Sequence, residues 1–223
     1  MKSSLFISTI FGALGLTVIS PITTATAAAE ESAACKLSET ELVERLQLPY
    51  DQYEDYNDES ETSWRSLEKK RCFAEAARYI HLYVEGNRNN LDPGAIKLQT
   101  FHEAMMLSWS GQDVAARHVF GGIHFVEGSE KATGQFNFDD WNAYVDATIA
   151  FLDKDRAAFD VKFAFISDRI AADKAGQIVG EPGHPGLRKL FSGVLNVLGN
   201  CFVGSYWEAY GQRVFGGPAC LSN

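Results

Sequence analysis

Apolar and polar positions along residues 101–163 alternate with helical spacing. The stretch reads FHEAMMLSWSGQDVAARHVF, then a glycine-containing spacer, then WNAYVDATIAFLDKDRAAFDVKF. Each piece is an apolar helical pattern, a short polar break (Gly111-Gln112-Asp113, Asp153-Lys154-Asp155) and a second helical pattern. An offset of about 42 residues lays Asp113 on Asp155, Ala115 on Ala157, Ala116 on Ala158 and Val119 on Val161. Two helix–turn–helix units follow, one from Ala95 to about Ile123 and one from Asp140 to about Ala172. At the first break Gly111 can take the left-handed conformation that closes a helix, and Asp113 can cap the next one.

The flanks carry the same period. Ser38-Glu39-Thr40-Glu41 fits a capping box ahead of Leu42, Val43, Leu46 and Leu48, and Pro49 stops that short helix. Residues 50–62 hold six acids among Tyr50, Tyr53 and Tyr56 and show no helical stripe, so they read as an acidic loop. Asp51, Glu54, Asp55, Asp58 and Glu59 lack the spacing that arranges oxygens round one Ca²⁺ ion. Ser63 can cap a long helix from Trp64 to about Glu85, ended at Gly86. Residues 176–186, rich in glycine and proline, read as a loop. Pro185 then opens a helix with the stripe Leu187, Leu190, Phe191, Val194, Leu195, Leu198, broken at Gly199-Asn200. Cys201, Phe202, Tyr206, Trp207 and Tyr210 suggest a last short helix closed by Gly211.

Composition adds a compartment. Residues 1–29 open on Lys2, run apolar from Leu5 to Ile19 and end on small residues, the layout of a removable signal peptide. The chain is then expected to be periplasmic or secreted, with no membrane span after removal. Cys35, Cys72, Cys201 and Cys220 are an even count in an exported chain and point to disulfides. Three pairings are possible, and Cys35–Cys72 with Cys201–Cys220 is favoured because it staples the two ends to nearby helices. The formal charge of −9 becomes about −10 without Lys2, which argues against a nucleic-acid partner. The expected division is a signal peptide at 1–29, an N-terminal arm at 30–62, a helical repeat region at 63–175 and C-terminal helices with a disulfide-bonded tail at 176–223.

Ala104, Leu107, Gly111, Ala116 and Phe120 are spaced 3, 4, 5 and 4 apart. This resembles the tetratricopeptide (TPR) repeat, whose small, large, glycine, alanine and large positions recur at those intervals. The second unit keeps Ile149, Asp153 and Ala158 in place, but Asp146 and Lys162 fall where small and large apolar residues belong. The resemblance implies an all-α fold of antiparallel helical hairpins stacked as a short solenoid, and with it a surface for a protein or peptide partner.

Chemistry is sparse. No Ser or Cys stands in a nucleophile-elbow context. His102-Glu103 begins like a zinc-protease motif, but Met106 occupies the second ligand position. His81, His118, His124 and His184 form no ligand spacing, and Gly121-Gly122 and Gly216-Gly217 lack the phosphate-loop pattern. Glu103, Glu127 and Glu208 are carboxylates that a glycosidase pair would draw on. Four aromatics, Trp109, Trp141, Tyr144 and Trp207, are candidates to line a binding groove, against helix–helix packing as the plainer role. The expectation is an exported, non-catalytic interaction or scaffold module of the bacterial cell envelope, with no cofactor and no metal. The alternatives are a cell-envelope glycan or peptide hydrolase on a helical scaffold, and a small-ligand-binding helical protein.

Overall fold

The structure is a computed structural model, and it describes residues 33–55, 57, 60–126, 137–175, 185–217 and 220. The stretch 1–29 expected as a signal peptide, Asp58, Glu59, Glu127, His184 and most of the expected loop at 176–186 lie outside the described residues. What is described is all-helical, without a strand. After a 3₁₀ turn at Ala33–Cys35 come α1 (Glu39–Leu46), α2 (Tyr50–Glu54), α3 (Trp64–Lys69) and α4 (Phe73–Asn87). Then follow α5 (Pro93–Trp109), α6 (Asp113–Gly121), α7 (Phe138–Leu152), α8 (Arg156–Lys174) and α9 (Pro185–Asn200). A π-helical turn, Trp207–Gly211, runs into α10 (Gln212–Val214). From α3 to α9 each helix packs against the next.

Several helix starts follow from local chemistry. Ser38 and Glu41 form the reciprocal capping box, Ser63 accepts from the Ser66 amide, and Asp92 accepts from the Ala95 amide with Pro93 at the first helical position. Asn137 caps α7 and Asp155 caps α8. Asp113 does not act as a cap: it is the first residue of α6, behind Gln112.

The long helix expected over residues 64–85 is two helices. The chain breaks at Arg71, which takes φ 60°, and the break has a specific geometry. The Cys72 amide reaches back to the Leu67 carbonyl at 2.9 Å and the Arg71 amide to Glu68 at 2.8 Å. That is the Schellman closure, in which one left-handed residue lets two amides satisfy the last free carbonyls. The same closure ends α5 at Gly111 (φ 80°), with Gln112 to Leu107 at 2.9 Å and Gly111 to Ser108 at 3.1 Å. It ends α7 at Lys154 (φ 57°), with Asp155 to Ala150 at 2.9 Å and Lys154 to Phe151 at 3.1 Å. Three hairpins, α3–α4, α5–α6 and α7–α8, therefore share one turn.

These turns also correct the repeat register. Gly111 and Lys154 are 43 residues apart, and Arg71 and Gly111 are 40 apart, so the offset of 42 is one residue short. The buried partner of Ala116 is Phe159, fully buried, while Ala158 is exposed. Ala104 corresponds to Ala147, also fully buried. In the first hairpin the equivalent positions are Trp64, Leu67, Ala76 and Ile80, all at 4% exposure or less. Residues 64–87 thus form a third hairpin with the same turn and comparable buried positions.

One apolar cluster runs from Tyr53 on α2 to Ala209 in the π-helical turn. The stretch expected as an acidic loop contributes to it. Tyr53 lies flat on Tyr83, ring centroids 3.6 Å apart, and its hydroxyl donates to Gln99 Oε1 at 3.2 Å. Glu54 is fully buried and accepts from Trp64 Nε1 at 2.9 Å, Gln99 Nε2 at 2.6 Å and Arg65. With its charge met by Arg65 and both oxygens bonded, this carboxylate belongs to the core. Asp55 accepts from the Ser60 amide at 2.7 Å.

Both ends are stapled. Cys35 and Cys72 are disulfide-bonded with Cα atoms 5.2 Å apart, as are Cys201 and Cys220 at 5.6 Å. Gly211 does not terminate the last helix, which continues through α10. Trp207 fills the space a side chain at 211 would need, since a Cβ there would stand 2.0 Å from the indole. Leu190, expected in the apolar stripe of α9, is 56% exposed.

Candidate functional site

The four candidate groove aromatics sit in packing positions. Trp141 is 2% exposed and its indole donates to the Ile123 carbonyl at 3.0 Å. Tyr144 lies stacked on Phe191 at 4.4 Å. Trp109 is packed among Phe73, Trp207, Tyr210 and Phe215, with Trp207 half-buried against it. Trp109, Trp141 and Tyr144 are closed off from solvent, so they hold helices together and do not form an open groove wall.

The chemistry expected of single residues resolves in the same way. Glu208 accepts from the Ser205 amide at 2.8 Å while Ser205 Oγ accepts from the Glu208 amide at 3.2 Å, a capping box that opens the last turn. The Ser205 hydrogen bonds hold its pKa below the usual carboxylate range. Part of His102 reaches the surface, but its Nδ1 is sealed from water without a hydrogen-bond partner. Burial, with Arg65 nearby, lowers its pKa to about 3, and the ring packs against Trp64 at 4.8 Å. His124 binds Asp146 through Nε2 at 2.8 Å. Among the described residues no group of three or more His, Cys, Asp or Glu is placed to hold a metal ion.

A cleft of about 520 Å³ does gather polar groups, and sequence reasoning did not place it. It lies along α4, α5 and α6. Helix α4 supplies His81, Val84 and Glu85, with Arg88 as its C-cap; α5 supplies Ile96, Lys97, Thr100 and Glu103; α6 supplies His118 and Val119. Residues 81, 84, 85 and 88 share one face of α4 by helical spacing, as do 96, 97, 100 and 103 on α5. The order of helices brings the two faces together. Such a volume is within the range of small-molecule and peptide sites.

Glu103 is the buried member, at 8% exposure, and accepts from His81 Nδ1 at 3.1 Å. Burial raises its carboxyl above the ordinary range, against the lowering pull of His81. Glu85 stays below the ordinary range because Arg88 hydrogen-bonds it. Lys97 donates to the His124 carbonyl at 2.8 Å and stands over the Phe125 ring at 4.7 Å. Glu103 was singled out in the sequence beside His102. Its actual partner is His81, 22 residues earlier, a pairing with no local signal.

A second cleft of about 500 Å³ lies at the C-terminal disulfide, bordered by Arg156, Phe202, Glu208 and Cys220. Its basic lining residue serves the fold, Arg156 donating to the Gly199 carbonyl at 3.1 Å, and outside the lining Lys154 Nζ donates to the carbonyls of Phe202 and Gly204. Cations on carbonyls at and beyond the C-terminus of α9 suit the helix dipole.

Compared with known proteins, the chain matches no family model, no curated protein and no solved structure.

Proposed function

We propose that this protein is an exported, non-catalytic interaction module of the bacterial cell envelope, built as a short TPR-like stack of helical hairpins. The observation that carries this reading is one turn geometry recurring at Arg71, Gly111 and Lys154, with each helix packed on the next. Hairpins repeated in this way hold helices side by side and leave furrows between successive units, which suits recognition of a protein or peptide. The cleft over α4, α5 and α6 is the furrow between the first and second hairpins. Two cystines in the described residues favour an oxidising compartment, periplasmic or secreted, and fit the leader-like residues 1–29. No helix among the described residues is long and apolar enough to cross a membrane.

The test uses capture from envelope extract by the purified protein and by Thr100→Arg, whose long side chain would fill the cleft. The expected result is a partner retained by the wild type and lost from the variant, with both unfolding at the same temperature. Capture indifferent to Thr100→Arg, or none, would sink the reading. A hydrolase in the same cleft is the second reading, favoured by one carboxyl raised by burial (Glu103) beside one held ionised (Glu85). It requires turnover of envelope glycan or peptide that Glu103→Gln abolishes.

A further inference from the structure

The cleft over α4–α6 has an unbalanced floor. Glu103 is nine-tenths buried, and the only partner among the described residues is His81, on one carboxylate oxygen. Its other oxygen accepts nothing from a described residue. Glu85 adds a second carboxylate whose field acts on the first. The two cations of the cleft are directed elsewhere: Arg88 to Glu85, Lys97 to the His124 carbonyl. That oxygen is not sealed from water, so it opens toward the cleft, and a largely buried carboxylate there favours a cation beside it. Around it the lining is apolar, with Val84, Ile96, Val119 and Ile123. That combination suits a group with a charged head and a hydrocarbon stem, since such stems lie along apolar surface while the head reaches a polar partner.

We propose that this cleft binds an alkylammonium group, with Glu103 receiving the charged head and Val84, Ile96 and Val119 flanking the stem. The proposal rests on the reading of the cleft as the interaction face, and it names the chemistry that face selects. A peptide lysine and a free diamine share this chemistry.

The experiment titrates the wild-type protein with acetyl-Gly-Lys-Gly-amide, acetyl-Gly-norleucyl-Gly-amide and 1,5-diaminopentane, following the ring resonances of His81 and His118. The lysyl peptide is expected to bind saturably and about tenfold or more tighter than the norleucyl peptide, which keeps the stem and lacks the charge. Glu103→Gln is expected to remove that preference while keeping the wild-type unfolding transition. The wild-type comparison of the two peptides stands even if the variant fails to fold. A diamine as tight as the lysyl peptide assigns the site to a free amine, and a weaker one assigns it to a peptide side chain. Equal binding of the two peptides overturns the assignment and leaves the cleft as an interaction face. Absence of saturable binding by all three up to about 10 mM also overturns it, whereas the interaction reading itself falls only with the Thr100→Arg capture result.

Discussion

Lys162 Nζ sits 2.7 Å from Asp146 Oδ2, joining α8 to α7 across the third hairpin. At an offset of 42 these two residues interrupt the repeat pattern, but at the offset of 43 set by the turns Ala147 and Phe163 take those positions, and Asp146 and Lys162 are left to pair with each other. Asp146 also binds His124, which ties in the end of the second hairpin. Burial opposes ionisation of Asp146, but the hydrogen bonds from Lys162 and His124 outweigh it and lower its pKa. Both side chains are more than a third exposed, so the pair is worth little in net stability. A double-mutant cycle of Asp146→Ala and Lys162→Leu should give a coupling of about 0.5 kcal/mol, with the double variant within about 1 kcal/mol of wild type. Urea unfolding measures it; a coupling of several kcal/mol would mean that the pair organises the hairpin.

The shared turn makes opposite forecasts at two of its three sites. Gly111→Ala places a side chain at φ 80° and should cost about 1 kcal/mol. Arg71→Gly relieves a side chain at φ 60° and should be neutral or stabilising by up to about 1 kcal/mol. Thermal unfolding of the two variants checks both signs. If Gly111→Ala is harmless, the closures are not energetically equivalent.

Glu54 depends on Arg65 for charge compensation. Arg65→Ala should cost about 3 kcal/mol, because the carboxylate stays buried with only Trp64 and Gln99 donating to it. Arg65→Ala combined with Glu54→Gln should recover part of that loss, since the buried charge is gone. The measurement is denaturant unfolding, and a double variant no better than Arg65→Ala alone would contradict the charge argument.

His102 gives the fold a dependence on acid. Its folded pKa of about 3 lies below the usual 6.5, so the unfolded chain binds the proton more readily. Stability from this group is therefore complete above about pH 6.5 and is lost progressively as pH falls toward 3. Unfolding midpoints at pH 7 and pH 4 should fall further apart in wild type than in His102→Gln. Equal pH responses would mean that the ring titrates normally.

Gly211 has no room for substitution. Gly211→Ala would drive a methyl into Trp207, and displacing an indole packed on Trp109 and Phe215 should cost about 1–3 kcal/mol. The Trp207→Leu, Gly211→Ala double variant should recover part of it, as read by thermal unfolding.

How far the sequence reaches can be judged from particular residues. Caps are local, decided within about four residues, so Ser38, Ser63 and the left-handed Gly111 were readable from the chain, although Asp113 was not the cap it was expected to be. The all-α class follows from the 3.6-residue period, and the cysteine count with the ends of the chain pointed to the two bridges. Arg71 was not readable as a turn residue, and although Asp153-Lys154-Asp155 read as a break, Lys154 was not marked as its left-handed position, because a left-handed arginine or lysine has no glycine to announce it. The one-residue error in the repeat followed from that, since matching letters favoured Ala158 over the buried Phe159.

By itself, then, the sequence determined where several helices begin and which faces are apolar, and it favoured one of three cysteine pairings. These depend on neighbours within a few turns. Tertiary structure alone decided that Tyr53 and Glu54 belong to the core, that Trp109, Trp141 and Tyr144 face inward, and that Asp146 answers Lys162. It also brought His81 against Glu103 in a cleft formed by three helices. The Asp146–Lys162, His81–Glu103 and Tyr53–Gln99 pairings join residues 16, 22 and 46 positions apart. Periodicity says which face of a helix is buried, but only packing says what that face meets.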